Sequence, residues 1–356
     1  MSTDAVTEAR RQLEICNACR YCEGYCSAFP AITRLRAFAD ADITQIANLC
    51  HNCRGCYYAC QYTAPHEFDL NLPAALATVR RESWEEYAVP AVLGRVFHTR
   101  AWAVTAVLVL GFALIVALMR AGDGAGFYAW MPHSVMVAIF APAFLLPFAA
   151  LALGVRRYWR DVGGTPVRWR HVAAASKRTA RMADLSGGHG EGCNFEQGER
   201  FSQSRRYAHQ LILWGFLLCF ASTTSGTILH YLADAPAPYP LWSIPKAFGI
   251  PGGILLTLGC GWMLWLKSRA DGHLSDQPSA RADTAFVALL GFVGLSGLAL
   301  YALRDTGGMG PALALHLGAV FALFVLTPYT KMAHGAYRFA ALVRDAQVKE
   351  AQAQAA

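Results

Sequence analysis

CNACRYCEGYC, residues 16–26, and CHNCRGCYYAC, residues 50–60, place four cysteines at the same spacing twice within the first sixty residues. The spacing is C-x2-C-x2-C-x3-C. Three thiolates at every third residue can gather round one iron–sulfur cube, because a loop followed by a helical turn brings them to one side. The fourth reaches elsewhere, and in two-cluster ferredoxins it ligates the other cluster. The pattern therefore predicts one [4Fe-4S] centre on Cys16, Cys19, Cys22 and Cys60, and a second on Cys50, Cys53, Cys56 and Cys26. Zinc sites pair two C-x2-C units rather than packing four thiols into eleven residues, and a reducing compartment disfavours disulfides. Ferredoxins put Pro directly after the fourth cysteine; here Ser27 and Gln61 follow, with Pro30 and Pro65 a few residues on. The linking stretch ITRLRAFADADITQIANL carries apolar residues at Ile32, Leu35, Phe38, Ile43, Ile46 and Leu49, a helical pattern. The expectation is a small helical dicluster domain, ferredoxin-like in chemistry.

The rest of the chain is oily. Of 356 residues, 55% are apolar, and a mean hydropathy of +0.29 suits a mixed membrane protein. Apolar runs long enough to cross a bilayer lie near 101–119, 133–154, 210–232, 250–266, 284–303 and 312–332. The connector from Val155 to Arg206 holds eleven Lys and Arg, whereas the odd-numbered connectors hold only Arg120, Lys246 and Arg304. Basic loops stay in the cytoplasm, so both termini and the long connector are expected inside. The start, MSTDAVTEARRQLEI, has no apolar core of the kind a secretory signal needs. The net charge of +7 lies between apolar segments rather than on a soluble face, which argues against nucleic acid. The fold expected is mainly α: residues 1–95 hold the clusters, 96–155 form two spans, 156–208 a basic cytoplasmic loop, 209–340 four further spans, and 341–356 a polar tail. In the long connector, SGGHGEGCNF lacks the strand and Gly-Lys-Ser/Thr of a phosphate loop; it reads as a surface loop bearing His189 and Cys193.

An ionisable side chain inside a span is costly and marks function by default. His316 and His334 are 18 residues apart, five full helical turns, and so project from one face. His209 and His230, 21 apart, fall within about 60° of each other, and both pairs span roughly 27–32 Å of helix rise. With antiparallel third and sixth spans, His209 faces His334 near the cytoplasm and His230 faces His316 near the outer surface. Two histidines opposed across helices supply the two axial positions of a b-type haem, so two haems are expected. His98 and His133, at the starts of the first two spans, read as interfacial. Cys219 and Cys260 read as packing residues.

With these features placed, the chain resembles the tricarballylate (citrate) utilization protein B family. The resemblance runs through HNCRGCYYACQY, GEGCNF, GFLLCFASTTSGTILHY, APYPL and LHLGAVFALFVLTPYTKMAHGAYRF. It extends to the C-terminal half of a flavin, iron–sulfur and haem protein of cobalamin synthesis and, more distantly, to the gamma subunit of respiratory nitrate reductase. The resemblance implies a multi-pass protein of the bacterial inner membrane with no catalytic residue of its own. It would reoxidise the reduced FAD of a cytosolic dehydrogenase of the tricarballylate type and pass electrons to the quinone pool in the lipid bilayer. No flavin fingerprint occurs in the chain, so the two-electron chemistry belongs to a partner. Two rivals are a heterodisulfide or thiol reductase module, against which stands the lack of CCG-type sequences, and a redox-inactive anchor for a flavoprotein.

Overall fold

The computed structural model describes residues 3–119, 126–196, 198 and 200–355; Arg120, one of the residues that set the expected orientation, lies outside them. Helix α1 (Asp4–Cys19) starts where the Thr3 hydroxyl accepts from the Val6 N–H at 3.3 Å, an N-cap that satisfies one otherwise orphaned donor. It stops at Arg20, whose left-handed backbone (φ 56°) sends its N–H back to the Cys16 carbonyl. Short α2 (Phe29–Ile32), α3 (Asp40–Leu49) and short α4 (Gly55–Tyr58) follow. In α5 (Leu72–Tyr87), Asn71 caps the Ala74 N–H and Pro73 occupies the first turn, where a missing N–H costs nothing.

Six long helices come next or nearly so: α6 (Ala91–Leu118), α8 (His133–Asp161) after the short α7 (Phe127–Trp130), α10 (Ser204–Leu232) after the connector helix α9 (Trp169–Ala180), α11 (Ile244–Ser268), α12 (Gln277–Leu303) and α13 (Met309–Leu326). Six helical segments are long and apolar enough to cross a membrane. Among the described residues the only sheet-like pairing is a single bridge between Cys193 and Ser202. Helices α10 and α11 touch backbone to backbone: a Cβ on Gly215 would meet the Leu256 main chain, and one on Gly252 would meet Cys219. Close approach through small residues is how helices associate where lipid removes the hydrophobic drive. Apolar side chains on α8 and α10 are the least covered of the six.

Two expectations change. The sixth apolar segment is not one straight helix to residue 332. Its α-helix ends at Leu326, a single turn spans Thr327–Tyr329, and a new helix α14 runs Ala333–Ala355. Pro328 has no N–H to donate back along the helix, which explains the break. The five-turn register between His316 and His334 therefore does not exist. Nor is the end of the chain an idle polar tail. In α14, Tyr337 is buried against Trp84, Tyr87 and Tyr158. Gln45 donates to the Ala341 carbonyl at 2.9 Å. Asp345 pairs with both Arg34 of the cysteine domain and Arg178 of α9. One continuous apolar core thus joins the cysteine domain, the end of α8 and α14, with Leu13, Phe29, Ile43, Ile46, Tyr158 and Tyr337 almost wholly enclosed.

Candidate redox centres

The first motif takes Cys16 and Cys19 from the last turn of α1, with Cys22 beyond the left-handed turn at Arg20. Cys60, just past α4, joins them: Cys16, Cys19, Cys22 and Cys60 line one small pocket with Gln61, Tyr62 and Leu70. Burial, reinforced by the neighbouring thiol charges, pushes Cys16 up to about 12 and Cys22 up to about 11. Bare thiols here hold their protons, so a metal must displace them on binding. Two N–H groups already point at sulfur: Gln61 Nε2 to Cys19 Sγ at 3.7 Å and the Tyr62 backbone to Cys60 Sγ at 3.4 Å. Hydrogen bonds to sulfur are one of the levers that tune an iron–sulfur centre.

The second motif begins at Cys50, directly after α3, and turns through left-handed Asn52 and Arg54 into α4, which carries Cys56. Cys26 stands among these residues, within electrostatic reach of Cys50 and Cys53, and Cys56 feels Cys26, Cys53, Cys22 and Cys50. Each motif thus sends its last cysteine to the other's triplet. Among the described residues no three His, Cys, Asp or Glu side chains converge as a single metal ion requires. The donor sets, all sulfur and arranged as two quartets, fit polynuclear clusters better than mononuclear zinc.

The connector read as a surface loop packs onto the second quartet. Gly188 N–H donates to the Tyr25 carbonyl at 3.0 Å and Asn194 N–H to the Cys53 carbonyl at 2.9 Å. Arg54 Nη1 reaches the Phe195 carbonyl at 2.9 Å, and Arg205 Nη1 the Asn52 carbonyl at 2.9 Å. Cys193 is buried, donates to the Leu185 carbonyl at 3.2 Å and interacts with Cys53. Gly192, at φ +115°, allows the chain to fold back past the Ser202 carbonyl, which a Cβ would strike.

Of the histidines, His209 on α10 and His334 at the start of α14 stand together, ring centroids 5.8 Å apart. Two metal–nitrogen bonds of about 2 Å each plus the ring radii need slightly more than this in a straight line, so the rings would part by about half an ångström to take one metal ion between them. The His334 Nδ1 contacts the Lys331 carbonyl, which can only accept, so Nδ1 donates and Nε2 is left free as a ligand. Among the described residues the buried Nδ1 of His209 has no hydrogen-bond partner. These two histidines fit an axial pair. His230 does not stand with His316. Its ring stacks on His133 at 4.2 Å and 22°, while His316 turns to α12, where its Nδ1 lies 3.1 Å from the Ser296 hydroxyl and its ring abuts Gly297. Helix packing explains the difference: α13 packs mainly against α12, α6 and α8 rather than α10. His98 is tied to Glu85 of α5 at 3.1 Å. Between the two histidine levels, Phe144 of α8 approaches Phe220 of α10 and Phe324 of α13.

Sequence reasoning missed the charges that join the two kinds of site. Arg338, one turn after His334, donates to the Cys50 carbonyl at 2.7 Å, and Arg80 donates to the same carbonyl at 2.6 Å. Spacing could have flagged Arg338, four residues from a candidate ligand on a helix; nothing local could have flagged Arg80.

Comparison with known proteins adds two findings. The model of the citrate utilization protein B family matches residues 100–356, and that of the citrate utilization protein B Fer4-like domain matches residues 9–86. The citrate utilization protein B of Escherichia coli is 42% identical over 363 residues, covering 99% of this chain and 95% of that protein. No solved structure matches.

Proposed function

The chain belongs to the citrate utilization protein B family, and from that premise we propose that it is a membrane electron-transfer protein of citrate or tricarballylate use. It accepts electrons from the reduced flavin of a cytosolic FAD-dependent dehydrogenase and delivers them to membrane quinone. When bound, two [4Fe-4S] clusters and b-type haem supply the one-electron carriers that a flavin-to-quinone route needs. Cys16, Cys19, Cys22 and Cys60 would hold the first cluster, and Cys50, Cys53, Cys56 and Cys26 the second. His209 and His334 would hold a haem at the domain end of the bundle.

The observation that carries this reading is Arg338. It rises from the helix of His334 and bonds the carbonyl of Cys50, so one side chain links the second quartet to the histidine pair. Exposed Tyr21 beside partly exposed Cys19 supports entry of electrons at the first quartet. The basic connector lies on the same end of the bundle as the cysteine domain, which supports a cytoplasmic placement of both. The test is a reduced-minus-oxidised spectrum and an electron paramagnetic resonance titration of the purified full-length protein. A b-type α-band with two [4Fe-4S] signals is expected. Clusters without any haem band would leave an iron–sulfur protein with no route into the membrane, and absence of both would make the chain an anchor.

A further inference from the structure

Five cations gather where the cysteine domain meets the bundle. Lys331 precedes His334 by three residues and Arg338 follows it by four; Arg205 precedes His209 by one helical turn; Lys267 closes α11 and Arg80 comes from α5. Arg205, Lys331 and Arg338 all act electrostatically on His209, and Lys331 and Arg338 also on His334. Against them stand Asp283, paired with Lys331 at 2.7 Å and within reach of Lys267 and Arg80, and Asp184, which acts on Arg338 from farther off. The guanidinium groups bond carbonyls: Arg80 and Arg338 the Cys50 carbonyl, Arg205 the Asn52 carbonyl. A carbonyl satisfies a hydrogen bond without cancelling a charge. Among the described residues the buried Nε of Arg338 has no hydrogen-bond partner. Burying uncompensated charge is expensive, and a thiolate-bound cluster on Cys50 would offset part of it. At the far end of α10, by contrast, His133 and His230 have the rings of Tyr128 and Tyr231 as neighbours.

We propose that Arg205, Lys331 and Arg338 form a binding site for two carboxylates, the propionates of the haem held by His209 and His334. The inference rests on the haem reading above. It adds that the macrocycle lies with its carboxylate edge toward the cysteine domain, because the excess positive charge is on that side. It also gives the unpartnered Arg338 Nε an acceptor, and it makes the two ends of α10 chemically unlike. Charge-assisted bonds of this kind are about twice as strong as neutral ones.

The test uses the full-length chain produced in haem-deficient cells and titrated, in detergent, with protohaem and with its dimethyl ester, which lacks the two negative charges. Binding and axial ligation are read from the Soret and α-bands. Protohaem is expected to bind at the domain end with a bis-histidine spectrum and at least tenfold more tightly than the ester. In an Arg205→Gln, Lys331→Met double variant the gap should shrink severalfold. Equal affinity of wild-type protein for both haems overturns the propionate site while leaving the haem reading intact, and that comparison needs no variant to fold. A bis-histidine spectrum with neither haem overturns the haem reading, and the propionate site with it.

Discussion

Cys19 of the first quartet lies half-exposed beside Tyr21, whose side chain is 68% exposed, whereas Cys53 of the second is buried under the connector with Arg54 beside it. Behind the second quartet stand Arg80, Arg205 and Arg338, each bonding a carbonyl of the Cys50–Asn52 turn. The two motifs have the same ligand spacing, so their difference comes wholly from long-range packing. Spacing determines what can bind; the neighbours determine which site faces outward and which faces the helical bundle.

The sharpest way to break the comparison is to remove the crossing cysteines. Cys26→Ser should abolish the signal of the second cluster, and Cys60→Ser that of the first, each seen as complete loss of one [4Fe-4S] resonance. Loss of the cluster belonging to the variant's own motif would show that the motifs bind separately. Next in size, Arg54→Ala should destabilise the domain by about 1.5–3 kcal/mol, the usual worth of a hydrogen bond to a charged group. A lowered thermal midpoint and faster loss of the second signal in air would report it; unchanged air stability would mean the connector does not shield that site.

A smaller effect separates the quartets in potential. Cations favour the form that carries the extra electron, so the second quartet should have the higher potential, by about tenfold in reduced-to-oxidised ratio at a given potential, or ~59 mV. Equal midpoints in a redox titration would mean that solvent around the first quartet offsets the arginines. The least effect belongs to Glu8 on α1. Its hydrogen bond from Arg11 lowers its carboxyl below the ordinary range, so its contribution is present above a pH of about 4.3 and fades as pH falls through the lowered value. Glu8→Gln should cost only about 0.2–0.5 kcal/mol near neutrality, with no difference from wild type in strong acid. A larger loss near neutrality would mean that α1 depends on this pair.

Much of this architecture is legible from local pattern. Thiol spacing and runs of twenty apolar residues depend on near neighbours in the chain, and helices α6, α8, α10, α11, α12 and α13 lie over the runs expected, extended at their polar ends by capping residues such as Asp276. What failed to be legible was non-local or concerned a single break. Pro328 was visible, yet assuming one helix through it set His316 opposite His230, while the fold sets His133 there. The connector looked featureless because its order comes from bonds to Tyr25, Asn52, Cys53 and Arg54, more than a hundred residues away. The salt bridges of Asp345 likewise could not be read from a polar C-terminal sequence.

The break at Thr327–Tyr329 has a mechanical consequence. By redirecting the chain out of the bundle, it lets α14 act as a strut pinned at both ends, to α13 by a single turn and to the cysteine domain by Tyr337, Ala341 and Asp345. A carrier domain on a flexible tether would have to swing between donor and membrane. Here the spacing between the quartets and the histidines is built in, so under the proposed function turnover would be paced by the arrival and departure of soluble donor and quinone rather than by movement within the chain.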